Sequence, residues 1–114
     1  IADLSQLRDA DRLLPAADVL ITDYSSVTFD YALLDRPIVY YPWDLEAYYN
    51  GRSFYYPFEE YVYGAVTDDL DSMLDAAIEG KMMPEQRQAF RKKFVGACDG
   101  RSTEKICRWI FGEL

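Results

Sequence analysis

In the stretch ITDYSSVTFDYALLDRP, residues 21–37, two adjacent serines, Ser25 and Ser26, are followed one helical turn later by Asp30. A helix that starts directly after a strand leaves its first N–H groups unpaired and partly positive, which makes such a turn an anion site. Ser25 and Ser26 fall at the cap position, where each can offer a hydroxyl and a backbone N–H to phosphate oxygens with no large side chain in the way. Asp30 lies four residues beyond Ser26, so spacing puts it on the same crevice face. A carboxylate there suits sugar hydroxyls rather than phosphate. Together the three residues describe a nucleoside diphosphate lying along the helix start. The plainer alternative is that the serines only cap the helix and Asp30 is solvated, and pattern alone does not separate the two.

For this turn to work, a strand must precede it and a helix must follow. Val19, Leu20 and Ile21 form a short continuous apolar run, which predicts a strand covered on both faces in a parallel sheet. A mostly buried helix is expected from Val27 through Leu34, ended by Asp35, Arg36 and Pro37, and a second strand at residues 38–41. Strand, helix, strand at this spacing is a βαβ unit, whose ligand crevice lies at the carboxyl ends of its strands. The turns at 22–26 and 42–44 both fall on that edge. Upstream, Leu4, Leu7, Leu13 and Leu14 suggest a helix stopped by Pro15.

Downstream, the tyrosine-rich region 43–64 has too many breakers for one long helix and is expected to be a structured loop whose rings fill core or interface. Residues 64–66 can form a third strand, after which Thr67 is the expected cap of a helix ended by Gly80. Pro84 opens a helix expected through Ala97, on which Arg87, Arg91, Lys92 and Lys93 form a solvated basic face. An amphipathic last helix is expected at 102–113, capped by Ser102 and carrying Ile106, Trp109 and Ile110. The fold class is therefore α/β, a Rossmann-like parallel sheet with flanking helices.

Composition narrows the function. The chain has 114 residues, is 50% hydrophobic and carries a net charge of −8, a size that fits one small domain and a charge that opposes binding to nucleic acid. Any phosphate must be bound locally. Cys98 and Cys107 have no CxxC neighbour and the chain has no histidine, so buried free thiols are expected and neither a metal site nor a cofactor is assigned. The missing histidine also removes the commonest general base, so no catalytic residue is assigned. No apolar run reaches membrane-span length and no signal segment opens the chain, which leads to the expectation of a cytoplasmic protein. The start on Ile1, inside a predicted helix, leads to the expectation of a fragment.

The segment TDYSSVTFDYALLDRPIVYYPWDLEAY resembles the CDP-glycerol glycerophosphotransferases of teichoic acid synthesis, whose shared pattern is close to ITDYSS, then FD, a proline before an apolar strand, and D-L-x-x-Y. Arg52, Phe54 and Tyr55, the Thr67 to Leu70 spacing, and the Asp-Gly turn at 99–102 also look familial. Arg52–Ser53 and Tyr63–Gly64 stand where the family usually has R-G and P-G.

The resemblance implies a GT-B arrangement of two Rossmann-like domains, of which residues 1–114 would be the later part of the carboxyl-terminal, donor-binding one. It implies transfer of glycerol phosphate, or a related polyol phosphate, from a CDP-linked donor to a polyol-phosphate polymer or lipid-linked acceptor, with release of CMP. Ser25 and Ser26 would contact the diphosphate and Asp30 the nucleotide end. Catalytic histidines would lie elsewhere, with a missing amino-terminal domain as partner, at the inner face of the cell membrane; this chain alone would be inert. Asp23, in the same turn, and Asp44, after the second strand, are further candidates, although Asp44 has the plainer role of capping the turn at 45–49. Arg52 is a candidate for an anionic acceptor phosphate, against a plainer pairing with Glu59 or Glu60. A UDP-sugar glycosyltransferase or epimerase of the same architecture, and a non-catalytic α/β interaction domain meeting a protein partner through its tyrosine-rich loop, are the alternatives.

Overall fold

The computed structural model describes residues 1–112. Three short strands, β1 (Leu20–Thr22), β2 (Ile38–Tyr40) and β3 (Ala65–Val66), form a parallel sheet in the order β1-β2-β3. Among the described residues five α-helices accompany them: α1 (Val27–Tyr31), α2 (Leu45–Gly51), α3 (Leu70–Glu79), α4 (Pro84–Phe94) and α5 (Ser102–Phe111). The α/β class and the βαβ unit expected from the sequence are both present.

The central strand is the most buried, because it has a neighbour on each side. Ile38, Val39 and Tyr40 are all fully buried, as a continuous apolar run in a parallel sheet should be. β1 departs from that expectation. It is flanked by β2 alone, and its Ile21 is 42% exposed. Where β2 approaches β3 the chain carries Gly64, and a Cβ at that position would overlap the Ile38 carbonyl oxygen and lie 2.6 Å from Ile38 Cγ2. Only glycine fits this close approach of two backbones.

α1 is shorter than the sequence suggests, ending at Tyr31 and continuing as tight turns through Arg36. Those turns leave carbonyls facing inward, and arginines answer them. Arg87, only 3% exposed, donates from Nη1 to the Leu34 carbonyl and from Nη2 to that of Arg36. Arg91 donates from Nε to the Ala32 carbonyl and reaches Asp35 at 3.1 Å. Arg36 itself turns to the Pro15 and Ala17 carbonyls, at 2.7 and 2.6 Å. The basic face predicted for α4 is thus a correction: two of its four cations point inward. A planar guanidinium fork can bridge two carbonyls at once, which sequence spacing does not reveal. The Arg87 guanidinium also lies over the Tyr63 ring, 5.0 Å from its centre, and burial pulls it below its ordinary pKa.

Other local expectations change too. The first sixteen residues hold only two 3-10 turns, Ala10–Arg12 and Leu14–Ala16, in place of a helix. Leu4 and Leu7 are exposed and have no face to bury against, and a short helix without packing is marginal. Region 43–64 is more regular than a loop, with α2 and a 3-10 helix at Phe58–Tyr61. α3 is capped by Asp69, which accepts from the Ser72 N–H at 2.9 Å, not by Thr67, whose hydroxyl and N–H both bond the Tyr40 carbonyl. Gly80, at φ 61°, ends α3 as expected.

α4 ends at Phe94 rather than Ala97. Cys98 and Cys107 are free thiols, but neither is buried as expected: Cys98 lies exposed in the turn beyond α4, and Cys107 is only partly covered. Ser102 is the first residue of α5 rather than its cap, while Asp99 accepts from the Arg101 N–H and from Lys105. α5 is followed to Phe111; the expected end of that helix at residue 113 lies outside the described residues. Its apolar side, including Trp109 at 86%, is exposed.

Replacing Arg87 with alanine strands two inward carbonyls and is expected to lower unfolding free energy by about 3 kcal/mol in urea titration, with little rescue by lysine, which lacks the fork. Gly64→Ala, which forces β2 and β3 apart, is expected to cost about 3 kcal/mol or to prevent folding, read by circular dichroism.

Candidate functional site

β1 delivers the chain to the turn at its carboxyl end, and there Asp23 accepts the Ser25 N–H at 2.8 Å. This removes one donor that the sequence had assigned to a ligand. Ser26 is the cap residue of α1, yet its side chain makes no capping bond. Ser25 Oγ lies 3.5 Å from the Val27 N–H, a long contact that leaves it free for another partner. The Ser26 N–H has no partner among the described residues. α1 has only five residues, so its dipole is small, and anion binding here rests on these local groups.

Beside the turn opens a cavity of about 490 Å³, within the range of small-ligand sites. Asp23, Tyr24, Ser25 and Ser26 line it from the turn, Thr28 and Phe29 from α1, and Tyr48, Arg52, Ser53 and Phe54 from α2 and the chain beyond it. The walls are aromatic and interlocked. Tyr24 and Tyr48 have ring centres 4.0 Å apart, and Phe54 lies 4.9 Å from Tyr48 and 5.9 Å from Tyr24.

Buried hydroxyls tie the floor together. Thr28 Oγ1 and Tyr40 OH are 2.7 Å apart, Tyr40 OH donates to the Tyr61 carbonyl at 3.1 Å, and Tyr63 OH donates to the Thr28 carbonyl at 2.6 Å. Burial raises both phenols above the ordinary pKa of 10.0, so they are neutral donors.

The sequence-predicted residues divide. Ser25, Ser26, Asp23 and Arg52 all line the cavity. Asp30 does not: it is exposed and lies outside the cavity wall. Asp44 corrects its expected role, for its side chain does not cap α2 but accepts from Tyr24 OH at 3.0 Å. It anchors the Tyr24 ring and thereby ties the β1 turn to the start of α2. Burial, and then the Asp44 carboxylate, raise the Tyr24 pKa. Arg52 has no ion pair among the described residues, and Glu60, one of its expected acids, bonds Lys93 instead. Sequence reasoning missed Tyr24, Tyr48, Phe54 and the Thr28–Tyr40 floor. The run of tyrosines was the signal, but ring-to-ring packing needs the fold.

The whole described chain, residues 1–112, matches the model of the family CDP-Glycerol:Poly(glycerophosphate) glycerophosphotransferase. Teichoic acid ribitol-phosphate polymerase TarL of Staphylococcus aureus (strain NCTC 8325 / PS 47) is 36% identical over 96% of this chain and 20% of its own length. Teichoic acid glycerol-phosphate transferase of the same strain is 33% identical over 97% of this chain and 30% of its own. Among solved structures, the wall teichoic acid polymerase TagF matches with a TM-score of 0.72 and 29% identity, over 96% of this chain and 28% of that one. A TagF variant soaked with CDPG matches at TM-score 0.70 and 30% identity, over 96% and 29%. The chain therefore spans less than a third of each of these relatives.

The floor network sets a pH dependence. Tyr40 and Tyr63 have raised folded-state pKa values, so their stabilising contribution is intact below 10.0 and is lost as pH climbs through the folded values. Urea unfolding across alkaline pH should show that loss together with late phenolate absorbance. Thr28→Val should cost about 1 kcal/mol below that window.

Proposed function

The chain belongs to the CDP-glycerol:poly(glycerophosphate) glycerophosphotransferase family, and on that premise we propose that it is the donor-binding part of a GT-B type enzyme. That enzyme moves glycerol phosphate, or a related polyol phosphate, from a CDP-linked donor to the hydroxyl of a teichoic-acid-like or lipid-linked acceptor. Its relatives named above carry ribitol-phosphate polymerase and glycerol-phosphate transferase activities in their names. The observation that carries the reading is the juxtaposition of the Ser25–Ser26 turn with the cavity, at the carboxyl edge of parallel strands where such folds take nucleotides.

The chemistry is one displacement at phosphorus. The acceptor oxygen bonds to the phosphorus bearing the polyol, and the bond from that phosphorus to the bridging oxygen breaks. CMP leaves with that oxygen and its electron pair, and the acceptor hydroxyl gives up its proton. This chain has no histidine to take that proton, so the base belongs to another part of the full-length protein. What these residues contribute is binding and orientation. Ser25 and Ser26 hydroxyls and the Ser26 N–H hold non-bridging oxygens, and the guanidinium of Arg52 supplies local positive charge on a protein whose net charge is −8. Positioning of this kind supplies much of the catalysis in phosphoryl transfer. In this reading the full-length enzyme works at the inner face of the membrane, where a lipid-linked acceptor is found.

Calorimetric titration of the chain, and of a longer protein containing it, with CDP-glycerol, CDP-ribitol and UDP-sugars tests the donor class. Binding of a CDP-polyol and not of UDP-sugars is expected; the reverse would replace the donor. The double variant Ser25→Ala, Ser26→Ala should weaken CDP-polyol binding roughly 10- to 100-fold with the fold intact. Unchanged affinity would move the phosphate elsewhere.

A further inference from the structure

The Ser25–Ser26 turn lines the cavity, and Asp30 is not among its lining residues. Thr28 and Phe29 face the cavity from α1, whereas Asp30 is exposed and outside it. A ligand whose diphosphate rests on the serines therefore has two directions to run. One follows the exposed Asp30 side, and the other enters the cavity.

The cavity's chemistry favours one end of the ligand. Its inner rings are taken up with one another, Tyr24 and Tyr48 lying 4.0 Å apart and Phe54 covering Tyr48 at 4.9 Å, and the one lining ring outside that cluster that stands open, Tyr55, is 99% exposed to solvent. What remains available inside is polar and cationic. Arg52 has no acid partner among the described residues, Glu60 is taken by Lys93, and the Asp23 carboxylate accepts the Ser25 N–H. Ser53 adds a hydroxyl that makes only a long, 3.3 Å contact to the Phe54 carbonyl. An uncommitted guanidinium near small hydroxyls suits a phosphate carrying a short polyol.

We propose that this cavity takes the polyol-phosphate end of the ligand, with Arg52 binding its phosphate, while the nucleoside lies outside along the Asp30 side. The inference rests on the CDP-polyol reading above and assigns its two ends. The same polyol-phosphate chemistry occurs at the end of the donor and along the acceptor polymer.

Titration of Arg52→Ala with CMP, CDP-glycerol and a short glycerol phosphate oligomer separates these sources. CMP affinity should be unchanged. A loss of roughly 10-fold or more for CDP-glycerol places the donor's polyol end at Arg52, and the same loss for the oligomer alone places the acceptor there. Asp30→Asn should weaken CMP and CDP-glycerol equally and leave the oligomer untouched. Arg52→Lys keeps the charge and should recover part of the loss, which checks that folding is not the cause. If Arg52→Ala weakens CMP as much as CDP-glycerol, or changes no ligand, the assignment is overturned. If the unaltered protein binds the oligomer through Arg52 but neither CMP nor CDP-glycerol, the donor reading fails and the cavity stands as a polyol-phosphate site alone.

Discussion

The turns between α1 and β2 present inward-facing carbonyls that no helix or strand satisfies, and guanidinium groups from α4 bond to them. An unpaired buried carbonyl costs free energy comparable to a lost hydrogen bond, so this contact decides whether the short helix after β1 can stop where it does. Arg87 and Arg91 come from more than fifty residues away in sequence, which makes the bond tertiary in the full sense. It fixes α4 against α1, and so brings Phe90 and Phe94 onto Phe29, with ring centres 5.3 and 5.6 Å away. Phe29 in turn forms part of the cavity wall.

From that clamp the site follows in order. α1 held at its far end presents Ser25 and Ser26 at its near end, while the Tyr24–Asp44 bond secures the turn to α2. The Thr28–Tyr40–Tyr63 hydroxyls then join α1 to β2 and to the segment entering β3. Buried polar networks of this kind are worth having only when each member is satisfied, and here the hydroxyls all find partners. One atom of the clamp does not: Arg87 Nε is buried without a bond among the described residues. The result is a polar floor beneath an aromatic wall, with a single free guanidinium among the cavity's lining residues. A protein of net charge −8 can attract a phosphate only through such local groups.

The parallel sheet, the βαβ unit and the serine turn were legible in the chain because they depend on local pattern. A continuous apolar run at 38–40, small residues after a strand, and Gly80 after an apolar repeat are short-range signals, and each element stands close to where it was expected. The family was legible for the same reason, since its motif is contiguous. What failed were readings that needed a partner. The amino-terminal leucines had the spacing of a helix but nothing to pack on, Thr67 went to the sheet rather than to a cap, and two arginines of α4 turned inward.

The residues alone thus determined the chemistry on offer: hydroxyls and N–H groups for an anion, a carboxylate one turn on, one cation in an aromatic segment, and no histidine. Only the tertiary structure decided how these are shared out. It put Arg52 with the serines on one cavity, left Asp30 outside, and spent Asp44 on a tyrosine. Spacing along a helix says which side chains share a face, but which face meets a cavity depends on what packs against the helix from distant sequence.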